Sequence, residues 1–236
     1  MRRKSLLLTF GLLLLFLGAV FLTFYVLYKH HPSFYRAATI VEGPDRTAQS
    51  GEFMSRSTNL MNSIGNFYPD WWEVFTTEQI NAFLQEDFVR SWGGDEFLPE
   101  GFHDLRVKID DGRVRIGCRY GEGFWSTILS IEVRMWLVAN EINLIGVEVL
   151  DLQAGALPIS RQMILDYISD TARRKNIEVK WFHRDGNPVA ILKLQADQMR
   201  PTIQLQRFEL QTGKIIIVGR SIDSQFTAQP SKPLKN

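Results

Sequence analysis

Few side chains in this sequence combine the type and the spacing that chemistry needs. Cys118 is its single cysteine, so an intrachain disulfide is excluded, and a thiolate nucleophile would need a base beside it. It shares the apolar side of a strand pattern with Ile116 and Tyr120, where a small buried thiol is the expected form. None of the four histidines is placed to activate it: His30 and His31 adjoin a long apolar run, and His103 and His183 fall on separate strand segments. Neither HExxH nor a paired-cysteine spacing occurs, so no metal centre is expected. Asp110 and Asp111 bring two carboxylates together, but Asp-Asp-Gly between alternating strands is what a tight turn requires. Gly121-Glu122-Gly123 is too short for a phosphate loop, and Gly-x-Ser-x-Gly is absent. Arg113, Arg115 and Arg119 recur on one strand face, where they could meet phosphate headgroups or a partner's acids, or form an ordinary solvated surface. The inventory points to a non-enzymatic protein without a cofactor.

The elements that carry these residues begin with an apolar helix. From Leu6 to Leu27 there are 22 residues without a charge, ten of them Leu and four Phe. At ~1.5 Å per residue this is a helix of roughly 33 Å, enough for a hydrocarbon core of about 30 Å. Arg2, Arg3 and Lys4 precede the run, and Tyr25 and Tyr28 stand at its far end. These are the flanks of a single membrane pass with the N-terminus cytoplasmic and the following domain outside the cytoplasm, periplasmic or on the cell surface. The rival reading is a cleaved signal peptide, whose apolar region usually spans about 7–15 residues and ends in small residues. Here the run is longer, and the one small pair after it, Ala37-Ala38, follows Arg36. A buried core helix is a poorer reading still, because a helix apolar on all sides needs lipid or a very large core. The formal charge is +1, and without the first three cations the remainder stands at −2, which argues against a nucleic-acid surface.

Residues 1–28 are thus read as basic N-terminus and anchor, 29–50 as a tether, 51–222 as an α+β domain, and 223–236, with Pro230 and Pro233, as a disordered tail. Inside the domain, TTEQINAFLQEDF reads as a helix capped by Thr76, with Gln79 as its capping-box partner and Ile80, Phe83, Leu84 and Phe88 as its apolar side. A weaker helix covers 52–64, and the aromatic link FYPDWW joins the two. Trp71 and Trp72 in that link suit either a headgroup layer or the core.

From residue 103 the pattern changes to period two, the mark of strands with one buried face. Val107 and Ile109 lead through the turn at Asp110–Gly112 to Val114, Ile116, Cys118 and Tyr120. Trp125, Leu129, Ile131, Val133, Met135 and Leu137 then share one face against Ser126, Ser130, Glu132 and Arg134. A turn at Asn140-Glu141 leads on through Ile142, Leu144, Val147 and Val149. ALPISRQMILDYISDTARRKN interrupts the strands with a helix opened by Pro158, striped by Met163, Ile164, Tyr167 and Ile168, and closed by cations and Asn176. Hairpins around Asp185-Gly186 and Thr212-Gly213 complete the domain.

Anchor, FTTEQINAFL helix, strand meander, VEVLDLQAGALPIS opening a helix, then more strands: this order resembles YpmS-type bacterial anchored proteins and the tubular lipid-binding (TULIP) superfamily over about residues 70–220. The resemblance implies a long curved antiparallel sheet wrapped around the helix that starts at Pro158, with a groove between them for an acyl chain or phospholipid. Trp125, Leu129, Val133, Leu144, Ile164, Ile168, Trp181 and Leu192 are then the groove-lining candidates. The same stripe would equally fill a solid core, in which case the domain is a structural or interaction module recruiting envelope proteins. Protein partners are not legible in the sequence.

Overall fold

The computed structural model describes residues 2–88, 98, 100–174, 179–193 and 202–222. The disorder expected for 223–236, the helix end at Lys175 and Asn176, and the side chain of Ile164 fall outside what is described. The chain opens with α1 (Arg2–Tyr28), whose Thr9–Tyr28 portion is long and apolar enough to cross a membrane and is not buried by the rest of the protein. The Thr23 hydroxyl donates to the Ala19 carbonyl one turn back, so this polar group in the apolar run is satisfied within the helix.

Residues 29–50 depart from the expected tether. They hold α2 (Ser33–Ala37) and the first turns of α3 (Pro44–Gly65), and Phe34 and Tyr35 are buried in a cluster with Ile128. The Tyr35 hydroxyl donates to the Asp104 carbonyl at 2.7 Å, and the Arg106 guanidinium lies 4.3 Å over its ring while donating to the Tyr35 carbonyl. Burying two aromatic rings outweighs the chain entropy that a free linker would keep.

Then follow β1 (Asp70–Thr76), α4 (Thr77–Gln85), β2 (Phe102–Asp110), β3 (Arg113–Tyr120), β4 (Thr127–Leu137), β5 (Leu144–Ala154), β6 (Leu157–Pro158), α5 (Arg161–Arg174), β7 (Lys180–Arg184), β8 (Asn187–Lys193), β9 (Ile203–Gln211) and β10 (Lys214–Ser221). The capping box at α4 forms as expected: Thr76 Oγ1 accepts from the Gln79 N–H, and Gln79 Oε1 from the Thr76 N–H. The preceding helix is longer than 52–64 and starts at Pro44. It packs on α4 through an Arg46–Glu86 ion pair at 2.7 Å and through Phe53, stacked with Phe83 and tilted against Phe75. Trp71 and Trp72 belong to β1, not to a link.

The strands pair antiparallel in two sheets, a large one ordered β2-β3-β4-β5-β8-β7 with β6 on β5, and a small one ordered β1-β10-β9. The expected alternation holds: Val133 pairs with Val114 and Val149, and Ile131 with Ile116 and Leu152. Register slips between Glu132 and Val133, and again between His103 and Arg106. Such bulges bend and twist long strands. The inner face of the large sheet packs on Phe208, Leu210 and Ile215 of the small one, with Ile80 of α4. Farther from α1, Trp71, Ile145 and Leu205 form an adjoining cluster with Leu137 and Ile217. The core described is therefore sheet on sheet. The described contacts of α5 with the large sheet include Trp181 Nε1 donating to Ser169 Oγ at 2.8 Å, and Arg161 donating to the Asn187 side chain and the Leu150 carbonyl. Pro158 does not open this helix. Leu157 and Pro158 pair with Ala154 and Gln153 as a short strand, and the helix begins at Arg161.

Candidate functional site

The end of the domain that meets α1 gathers the features that set it apart from a plain packed body. The last turn of α1 is built into two loops. Tyr28 Oη donates to the Trp125 carbonyl at 2.8 Å, and Lys29 Nζ donates to the carbonyls of Ser126 and Gly123. The Ala156 N–H donates to the Leu27 carbonyl at 2.8 Å, and Thr127 Oγ1 donates to the Tyr28 carbonyl. These bonds supply partners for carbonyls that a helix C-terminus leaves open. At Gly155, with φ +64, a Cβ would run into the Leu27 and Tyr28 carbonyls, so the close approach requires glycine. The Tyr25 and Phe124 rings stack at 4.9 Å, and Phe124 meets Trp125 edge-on.

A cavity of about 330 Å³ opens beside this junction, on the outer face of the large sheet. His30, Pro32, Ser33 and Phe34 form one wall, and Arg115, Ser130, Glu132, Asp151 and Gln153 belong to the other. Arg115 is held by Glu132 at 3.0 Å and Asp110 at 3.7 Å. Asp151 accepts from the Leu152 N–H and from the Gln153 side chain. The wall thus offers fixed charges of both signs to a small polar group. Next to it the His31 imidazole is held below its ordinary value, first by burial and then by the cations Arg119, Lys29 and Arg36. Burial, and after it the charge of Asp104, pushes the Tyr35 phenol upward, so it stays a neutral donor.

The groove-lining candidates separate. Trp125 is not on the sheet. It ends the short 3-10 turn Gly123–Trp125 and is 66% exposed, because the turn lifts it out of the strand alternation. Leu129 and Val133 do lie on the inner face of β4, but Val133 is closed in by a cluster that includes Leu210 of β9. Leu144 alternates with the buried Ile145 and pairs with Lys193, which turns it to the other face. Trp181 and Leu192 stand on β7 and β8, and Ile164 and Ile168 on α5. Trp71 is core, whereas Trp72, its neighbour across the pleat, is 67% exposed.

The chemistry-capable residues fall into place. Cys118 pairs with Leu129, and burial pushes its thiol up to about 11, so it is protonated at neutral pH. Among the described residues no three His, Cys, Asp or Glu side chains gather into a metal-holding group. Arg113, Arg115 and Arg119 share the outer face and are paired with Glu132, Asp110 and Asp104. Sequence reading missed the junction itself. Its signals were Gly117 and Ile128 on an otherwise polar strand face, and aromatic Phe34 and Tyr35 inside an apparent linker. Comparison of the chain with family models, with curated proteins and with solved structures gave no match.

Proposed function

We propose that this is a non-enzymatic, membrane-anchored domain outside the cytoplasm that contacts lipid at the bilayer surface, taking the headgroup in the cavity beside its anchor. The single observation that carries this is the cavity's position: its wall includes His30, Pro32, Ser33 and Phe34, the residues that leave α1, facing Arg115, Glu132 and Asp151. A headgroup carrying both a phosphate and an ammonium matches cationic and acidic walls together, since charge-assisted hydrogen bonds are the strong ones. The long antiparallel sheet and the apolar inner positions Leu129, Trp181 and Leu192 support a likeness to tubular lipid-binding domains. Packing of Phe208 and Leu210 against the inner face favours a headgroup over a whole acyl chain. Arg2, Arg3 and Lys4 in the first turn of α1 support a cytoplasmic N-terminus.

The test is native mass spectrometry of the full chain released from nanodiscs containing phosphatidylethanolamine. Retained lipid that falls several-fold in Arg115→Ala and Asp151→Asn supports the reading, and retention unchanged by both variants removes it. A second reading, an interaction module, is favoured by Trp72, exposed beside Val218 on the outer face of the small sheet. Crosslinks to an envelope protein from position 72, lost in Trp72→Asp while lipid retention stays at background, would favour that role.

A further inference from the structure

The turn that carries Phe124 and Trp125 exposes two large apolar side chains, at 62% and 66%, directly against the membrane-length helix. Its position along that helix is fixed by contacts. The Phe124 ring stacks on Tyr25, and Tyr25 precedes Tyr28 by three residues, about 4.5 Å along a helix axis. Phe124 therefore reaches to the membrane side of the last turn of α1. Trp125 stands next to it, edge to face at 5.2 Å. Three carbonyls beside the two rings are already occupied: those of Gly123, Trp125 and Ser126 accept from Lys29 and Tyr28, and the Gly121 N–H donates to the Gly101 carbonyl. Carbonyls satisfied in this way lose little on leaving water, and aromatic side chains favour the zone between headgroups and hydrocarbon.

We infer that the Phe124–Trp125 turn is a second membrane contact, seated in the interface of the same bilayer that α1 crosses. The partner is the lipid surface itself. One helix alone would leave the domain free to rotate about the membrane normal and to tilt. Two contacts, bonded to each other through Tyr28 and Lys29, fix the tilt and hold the mouth of the polar cavity at headgroup level. This inference rests on the reading of α1 as a membrane anchor.

None of the six tryptophans lies in α1, so tryptophan fluorescence reports on the domain. The full chain is reconstituted in phosphatidylcholine vesicles containing lipid brominated high on the acyl chain, and flotation is recorded in parallel. The expected result is bromine-dependent quenching that Trp125→Ala largely abolishes and that Trp72→Ala, at an exposed site far from the anchor, leaves at the wild-type level. Both sites are exposed, and near-ultraviolet circular dichroism checks that each variant stays folded. Quenching undiminished in Trp125→Ala, with the chain still floating, overturns the interfacial contact while leaving the anchor intact. A chain that does not float with the vesicles overturns the anchor reading and this inference with it.

Discussion

On its inner face the large sheet meets the C-terminal hairpin through a continuous apolar layer, in which Val133 and Val149 pack in one cluster with Phe208 and Leu210. On its outer face it meets the segment after α1 through a smaller apolar contact, Phe34 and Tyr35 against Ile128, set among Arg106, Arg115 and Arg119. Broad apolar burial is what holds a fold together, because stabilisation grows with the area removed from water. A cover of two side chains holds position instead: it keeps the domain against α1 and can open without unfolding the rest.

The largest effect separating the two faces is expected from Ile109→Ala. Ile109 is 1% exposed in the inner layer, and truncating such a residue costs about 2–5 kcal/mol; the urea midpoint of the whole domain in nanodiscs should fall accordingly. A variant with an unchanged midpoint would mean that the hairpin is not the stabilising cover. Gly117→Leu comes next. A Cβ there would stand 2.7 Å from the Tyr35 ring and 3.1 Å from that of Phe34, and overpacking typically costs about 1–3 kcal/mol. Faster amide exchange over residues 33–37, with β4 and β5 still protected, is the expected pattern; equal loss of protection everywhere would make the two covers one cooperative unit.

Arg113→Ala should matter less. Its pair with Glu132 spans 3.0 Å but lies near the surface, where such pairs contribute roughly 0–1 kcal/mol, and a larger shift in the urea midpoint would show that the outer charges act as a network. The last expectation concerns pH. His31 has a folded value below 6.5, chiefly through burial, so the unfolded segment binds a proton more readily than the docked one. The docking of residues 33–37 should be strongest above pH 6.5 and weaken as pH falls from there through the lowered value. Amide exchange across that window reads this directly, and His31→Gln should flatten the dependence.

Much of the sheet was legible because period two is a local property. Val114, Ile116, Ile131 and Val133 announce a buried face by alternation alone, and the turns at Asp110–Gly112, Asp185-Gly186 and Thr212-Gly213 sit where the strands end. The capping box at Thr76 was legible for the same reason, since both partners lie within four residues. Trp125 was misplaced because a one-turn helix at Gly123–Trp125 breaks the alternation that put it on the sheet. Residues 29–50 read as a tether because Pro32, Gly43 and Pro44 look like linker punctuation, while the surface that orders Phe34 and Tyr35 is contributed by Asp104, Arg106, Gly117 and Ile128, far along the chain.

By itself, then, the sequence determined a helix of membrane-crossing length and the alternation along most of the strands, both set by neighbours a few residues apart. Only the tertiary structure decided what lies on each face: a hairpin inside, the segment that follows α1 outside, and an aromatic turn raised beside Tyr25. Such choices depend on which distant surfaces together remove the most apolar area from water, and that quantity exists only once the chain has folded.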